Sequence, residues 1–214
     1  LATRLSHPGV HVLTRLQLPK DTLFLYAGEF GRAVLAELDT HGSTVLPAEE
    51  PTYVASLPFA RLIITAWPGE RFDDRDRVDS VAFFRKIPSL GLSLTPSRIT
   101  CGPLVRPGAS ACYSCYHNRR LQHERRTTQT SGFADSLDEG FGAPDIAIAV
   151  GMLHGALVEL SHPAEGIGGT VREFNLVHGM TSRYNTVAID RCPRCSHRFS
   201  DDRELTAAFS TLIN

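Results

Sequence analysis

Lysine is nearly absent from this chain: of its 22 basic residues only Lys20 and Lys86 are lysine. The remaining cations are arginines scattered along the sequence, a bias read as genome composition more than chemistry. An excess of either charge is also lacking, since 22 basic against 23 acidic side chains leave a net charge of −1. That balance argues against binding to nucleic acid or to an anionic membrane through bulk electrostatics. Long apolar runs are missing too. Leu1 to Lys20 contains no continuous apolar stretch beside a basic one, so no secretory signal is expected. The most apolar segment, Ile146 to Leu160, is interrupted by Gly151, His154, Gly155 and Glu159. It is shorter than the roughly 20 residues that span a bilayer. A cytoplasmic protein without a membrane segment is the expectation. No internal repeat divides the 214 residues, and 42% hydrophobic with 21% charged residues fits one globular domain with an ordinary core.

Within that frame the chain reads as α/β. Thr22–Tyr26 is a short buried strand followed by Gly28 and Gly31. Arg32–Leu38 then suits a helix, and Ser43–Leu46 a second strand, which together open a parallel α/β unit. Arg61–Thr65 is another buried strand. Asp73–Ile87 suits a helix, with Asp73, Asp74 and Asp76 near the N-terminus, where the macrodipole favours anions. Leu90–Leu94 and Arg98–Cys101 read as strands, Tyr116–Arg126 as a polar helix, and Thr127–Gly142 as a mobile crossover. Pro144–Leu160 reads as a helix apolar on most sides and hence buried. Thr170–Val177 and Tyr184–Asp190 flank a hairpin, and a short helix near Arg203–Leu212 ends the chain.

Four of the five cysteines fall in two C-x-x-C pairs, Cys112/Cys115 and Cys192/Cys195. This pattern fits a metal site in a reducing compartment better than a disulfide framework. Two-residue spacing lets both thiolates of a pair turn toward one tetrahedral ion, and the second pair completes the set. Four thiolates leave no position open for a substrate, so a structural zinc is favoured over a catalytic metal or a pair of redox disulfides. The 76 residues between Cys115 and Cys192 exclude a compact zinc finger. The ion would instead staple a C-terminal hairpin to the middle of the domain. His197 reads as a solvated neighbour of the site, and Cys101 as a buried core thiol.

Gly102-Pro103-Leu104-Val105-Arg106-Pro107-Gly108, running into Ala111-Cys112-Tyr113-Ser114-Cys115-Tyr116, resembles the cyclodehydratase-domain branch of the ThiF-like family. The strand–glycine–helix start and the terminal Cys-Pro-x-Cys are similar as well, and the resemblance covers roughly Thr22 to Cys195. It implies a Rossmann-like ThiF-type fold with a C-terminal hairpin stapled by a four-cysteine zinc site. Residues 1–20 would then be an N-terminal extension and 21–214 the domain. The branch serves the biosynthesis of thiazole/oxazole-modified peptides beside a YcaO enzyme.

The departures from the family pattern shape the functional expectation. Adenylating members carry Gly-x-Gly-Gly-x-Gly after the first strand, whose backbone approaches the nucleotide phosphates. Here the register reads Tyr26-Ala27-Gly28-Glu29-Phe30-Gly31. Gly28 and Gly31 would be remnants of an inactive phosphate loop, and Glu29 sets a carboxylate where a triphosphate would lie. Leu46-Pro47-Ala48, with Glu49 and Glu50 slightly later, stands where the family keeps a ribose-binding acid. Ala66-Trp67-Pro68 stands where an Asp would position magnesium. No cysteine occurs between Tyr116 and Gly142, against thioester chemistry. About twenty residues precede the first strand, too few for the winged-helix module that grips a leader peptide in this branch.

The resulting expectation is a non-catalytic partner of a YcaO cyclodehydratase that helps bind or present a precursor peptide. Structural zinc, no use of ATP and a homodimer go with it. An active ThiF-like adenylyltransferase and a zinc-stabilised interaction module outside peptide modification are the alternatives. Among smaller features, Arg119, Arg120, Arg125 and Arg126, with His117 and His123, form a basic cluster. It reads as a solvated helix face or as a surface for an acidic partner. Trp67, the one tryptophan, reads as a core residue more than as the wall of a peptide groove.

Overall fold

Largely apolar runs bounded by turn residues mark strands buried on both faces, and two such runs, at residues 22–26 and 62–68, lie side by side in the sheet. The computed structural model describes residues 15–48, 57–124, 140–161 and 169–195. In chain order the first elements are β1 (Leu16–Gln17), β2 (Thr22–Tyr26), α1 (Gly28–Ala36), β3 (Leu38–Asp39), β4 (Thr44–Pro47), β5 (Leu62–Pro68) and α2 (Phe72–Phe84). There follow β6 (Ser89–Thr95), β7 (Arg98–Cys101), α3 (Tyr113–Glu124), α4 (Ala143–Ser161), β8 (Thr170–Asn175) and β9 (Met180–Asn185).

Seven strands make one mixed α/β sheet in the order β4-β2-β5-β6-β7-β8-β9. The first four are parallel, and from β6 onward each neighbour is antiparallel. Alternation along the strands divides the core into two layers. Phe24, Ile64, Leu90, Leu92 and Ile99 face α1 and α4, where Phe30, Val34, Ala149, Leu153 and Ala156 meet them. Leu23, Leu25, Ile63 and Trp67 face α2, packing on Val78 and Ala82. α3 and the cysteine pairs lie on this second side. Leu16 pairs with Leu38, and Leu18 is buried in the first layer, so packing begins within the stretch read as an extension.

Several boundaries differ from the sequence reading. α1 starts at Gly28, not Arg32, because the chain enters the helix directly from β2. α2 ends at Phe84; Arg85 caps it, and Lys86 adopts φ 58°, which turns the chain toward Ile87 before Pro88. α4 is not buried on most sides. Ile146, Ala149, Leu153, Ala156 and Leu157 face the core, while Ala147, Gly151, His154 and Val158 are exposed. Its 19 residues and mean hydropathy of 1.4 are long and apolar enough to cross a membrane by length and composition, yet here one face packs on β7 and α1. β9 begins at Met180, four residues before the expected Tyr184, and all six of its side chains are exposed. The crossover after Glu124 up to residue 139, the ends of the chain and His197 lie outside the described residues.

The Gly-Pro-Leu-Val segment has a physical reason in this sheet. Gly102 takes φ 135°, its N–H donates to the Gly91 carbonyl (2.7 Å), and a Cβ there would lie 2.7 Å from the Thr170 carbonyl oxygen. Leu104 then donates to Thr170, and Val105 exchanges hydrogen bonds with Ser89. The segment thus leaves β7 tight against β8 and β6 and delivers the chain to Cys112.

Candidate metal centre

Cys112 and Cys115 bracket the start of α3, with Cys115 in its first turn; Cys192 and Cys195 sit in the loop beyond β9. The fold brings all four together. Their Sγ atoms lie within 4.8 Å of one another, and all four residues are buried. The contacts are 3.7 Å for Cys112–Cys115, 3.6 Å for Cys112–Cys192 and 3.5 Å for Cys115–Cys195. A disulfide needs about 2.05 Å, so these are free thiols. Four sulfurs about 2.3 Å from one ion would stand about 3.8 Å apart in a tetrahedron, close to the observed spacing. Hydrogen bonds from the Cys112 and then the Cys195 thiols pull Cys115 down to about 4, while hydrogen bonding with Cys112 and then with Cys115 pushes Cys195 up. The Ile189 N–H donates to Cys115 Sγ at 3.4 Å, the kind of contact that favours thiolate. The four side chains could hold a metal ion.

The sheet and α2 position the centre through charged groups that spacing alone did not reveal. Arg194, inside the second pair, makes a bidentate ion pair with Asp76 (2.7 and 2.9 Å), donates to Asp79 (2.9 Å) and also reaches the Ser80 hydroxyl. Asp76 is therefore more than a helix-dipole residue. Asp79, fully buried, also accepts the Tyr113 N–H (3.1 Å) and the Ser89 hydroxyl (3.1 Å). Burial pushes its carboxyl up, and Arg75, Arg194 and the Tyr113 N–H oppose that shift. Arg75 extends under α2 to the Leu90 carbonyl (2.9 Å) and Thr65 Oγ1 (3.1 Å), with its guanidinium 5.4 Å from the Tyr113 ring centroid.

The α3 cluster is tied into the structure more than it is solvated. Arg119 donates to the Val187 and Ala188 carbonyls (2.6 and 2.9 Å), clamping the approach to Cys192. Arg120 pairs with Glu70, and His117 stacks on Phe72 with ring centroids 3.6 Å apart. Neither the solvated face nor a free basic surface describes Arg119 and Arg120; Arg125 and Arg126 lie outside the described residues. Tyr113 and Tyr116 are buried packing residues beside Val171. Cys101 is buried in β7, where desolvation pushes its thiol up to about 12, in keeping with a core role.

At the C-terminal end of the parallel strands, where open α/β sheets bind ligands, Gly28 is the first residue of α1. Gly31 has a packing reason to be glycine: a Cβ there would meet the Ala66 carbonyl oxygen at 2.4 Å. Glu29 is exposed and pairs with Arg32 at 2.5 Å. Trp67 is 3% exposed in the second core layer, as the core reading expected. Arg71 lies 5.3 Å over its ring, donates to the Ala48 carbonyl (3.0 Å) and pairs with Asp74.

No protein-family model matches the chain, and no curated protein matches it by sequence. Solved structures do. A structure of the heterocyclase TruD superposes with a TM-score of 0.54 at 16% identity, over 86% of this chain and 29% of that one. MccB of E. coli gives 0.53 at 13%, over 81% of this chain and 58% of that one, and PaaA gives 0.51 at 14%, over 81% and 74%. The chain thus spans about a third of the first and under two thirds of the second. At these identities the likeness is one of fold. The chain is therefore similar in fold to the heterocyclase TruD and to E. coli MccB.

Proposed function

We propose that this chain is a non-catalytic, zinc-stapled partner of a YcaO-type cyclodehydratase in the biosynthesis of azol(in)e-modified peptides. The observation that carries the reading is the fold shared with a protein described as a heterocyclase, together with an altered strand-end crevice. At the mouth of β2 the first helical turn offers the Glu29 carboxylate where a nucleotide phosphate would need donors. Gly31 is used to seat α1 on β5. Ala66 and Trp67 fill the end of β5, with Arg71 over the indole. ATP chemistry therefore belongs to the partner enzyme. In this reading the chain is a cytoplasmic homodimer of ThiF-type Rossmann-like architecture that helps bind or present the precursor peptide.

Zinc suits the site because four thiolates favour a tetrahedral thiophilic ion. Bound by Cys112, Cys115, Cys192 and Cys195, it supplies a cross-link between α3 and the tail and leaves no coordination position for a reactant. From outside the sulfurs, Arg119 ties α3 to the tail and Arg194 ties the tail to α2.

Co-purification with the products of neighbouring genes, read by mass spectrometry, tests the functional reading. A YcaO-type protein or a short Cys/Ser/Thr-rich peptide should come through. Recovery of neither would remove the reading, and robust ATP–pyrophosphate exchange by the chain with a peptide would replace it with adenylation.

A further inference from the structure

Asp79 carries no ligand sulfur, yet it is bonded to both halves of the cysteine site. Its Oδ2 accepts the N–H of Tyr113, the residue after Cys112, at 3.1 Å, and the guanidinium of Arg194, the residue before Cys195, at 2.9 Å. Its Oδ1 accepts the hydroxyl of Ser89 on β6 at 3.1 Å. Tyr113 is the first residue of α3, so Asp79 satisfies one of the backbone donors left open at that helix start. Cys115 lies in the same turn. One buried carboxylate thus fixes the helix that carries the first cysteine pair, the loop that carries the second, and the position of both against the sheet.

We infer that Asp79 is the positioning residue of the metal centre, setting its affinity for the ion by holding the two cysteine pairs in register before the ion arrives. The inference rests on the metal reading above. Four thiolates around a divalent ion leave a net charge of −2, and Arg194 is the cation beside them. Asp79 and Asp76 aim Arg194 from two sides, so its position is determined by α2 and not by the short loop alone. An amide at position 79 has the volume of the carboxylate but only one acceptor oxygen. Its NH2 group can donate to the Ser89 oxygen, so the amide oxygen keeps the Tyr113 and Arg194 donors without the negative charge, and the charge-assisted bond that aims Arg194 is weakened. Such outer contacts typically change metal affinity by about 10–100-fold.

The test uses the full chain and Zn2+ in competition with a chromophoric chelator. Co2+ substitution reports site geometry through its visible bands. Asp79→Asn should bind Zn2+ about 10–100-fold more weakly than the parent and shift the Co2+ bands. Val78→Ala, a neighbouring core truncation on α2, should lower the melting temperature while leaving the Zn2+ affinity and the Co2+ spectrum unchanged. Arg194→Gln, on a partly exposed side chain, should weaken Zn2+ in the same direction, and Arg194→Lys should recover part of the loss. If Asp79→Asn does not fold, the Arg194 pair decides by itself. Parental affinity in Asp79→Asn and Arg194→Gln, or an equal loss in Val78→Ala, overturns the role of Asp79 while leaving the metal site standing. A parent chain that binds no stoichiometric Zn2+ overturns both.

Discussion

Gly102→Ala is the substitution whose cost the structure specifies most fully. Two independent penalties meet at this residue. The backbone has φ 135°, a region essentially closed to residues with a Cβ, at about 1–3 kcal/mol. The new methyl would also lie 2.7 Å from the Thr170 carbonyl oxygen and 2.9 Å from the Val171 Cα. Both are backbone atoms of β8 and cannot rotate aside, so β7 and β8 must separate, at about 1–3 kcal/mol for an overpacked methyl. Together the loss is about 2–6 kcal/mol, a large share of the roughly 5–15 kcal/mol that holds a domain folded. With a slope of about 2 kcal/mol per molar urea, the midpoint should fall by about 1–3 M. Gly108→Ala separates the two penalties, because Gly108 has φ 79° with nothing within 4 Å of its Cβ position. It should show only the conformational part, about 1–2 kcal/mol. Urea unfolding of the two variants in parallel is the assay. If Gly102→Ala costs no more than Gly108→Ala, the close approach of β8 is not what requires glycine, and this explanation of the Gly-Pro-Leu-Val motif fails.

Gly31→Ala should destabilise the protein by about 1–3 kcal/mol in thermal melts without nucleotide, because the clash with Ala66 outweighs the roughly 1 kcal/mol that alanine gains in a helix; a neutral result would leave Gly31 without its packing role. Burial by itself would raise the Glu159 carboxyl, but the Thr170 hydroxyl and the Arg172 and Arg183 guanidiniums hold it below its ordinary value of 4.5. A depressed folded-state pKa contributes stability above 4.5 that is lost as pH falls through the folded value. The parent should therefore exceed Glu159→Gln in melting temperature near pH 7, with the gap closing below pH 4.5; a gap independent of pH would refute the assignment. Arg71→Ala should expose Trp67, raising acrylamide quenching of its emission and removing about 0.5–1 kcal/mol of cation–π attraction, and unchanged quenching would show that Arg71 does not cover the ring.

What the sequence made legible follows from how far each signal reaches along the chain. β2 and β5 were readable because strands covered on both faces are largely apolar, and β6 because its three leucines alternate with small residues. β9 was misplaced because Met180–Asn185 is exposed on every side and so has no alternation to detect. α4 was read as buried because it is apolar on most sides, although only a strip near Ile146, Leu153 and Leu157 finds a surface to pack on. At the candidate metal centre, the two cysteine pairs announced themselves through local spacing. Their supports did not: Arg194 was visible inside Cys-Pro-Arg-Cys, but its partner Asp76 lies 118 residues earlier. Asp79 could be found only once α2 was placed beside both pairs. Arg119 looked like part of a basic surface because its acceptors are the backbone carbonyls of Val187 and Ala188, which no residue pattern marks.

On the proposed reading, the four cysteines form a metal staple joining the tail to α3 and, through α2, to the sheet. Hydrogen exchange of the zinc-loaded protein, of the same protein after chelation, and of Cys192→Ser tests it most directly. Chelation and Cys192→Ser should both strip protection from residues 187–195 and from the first turn of α3, while β2, β5 and β6 keep theirs. Unchanged protection of the tail after the metal is removed would contradict the staple, as would a Cys192→Ser protein that retained both its zinc and its protected tail.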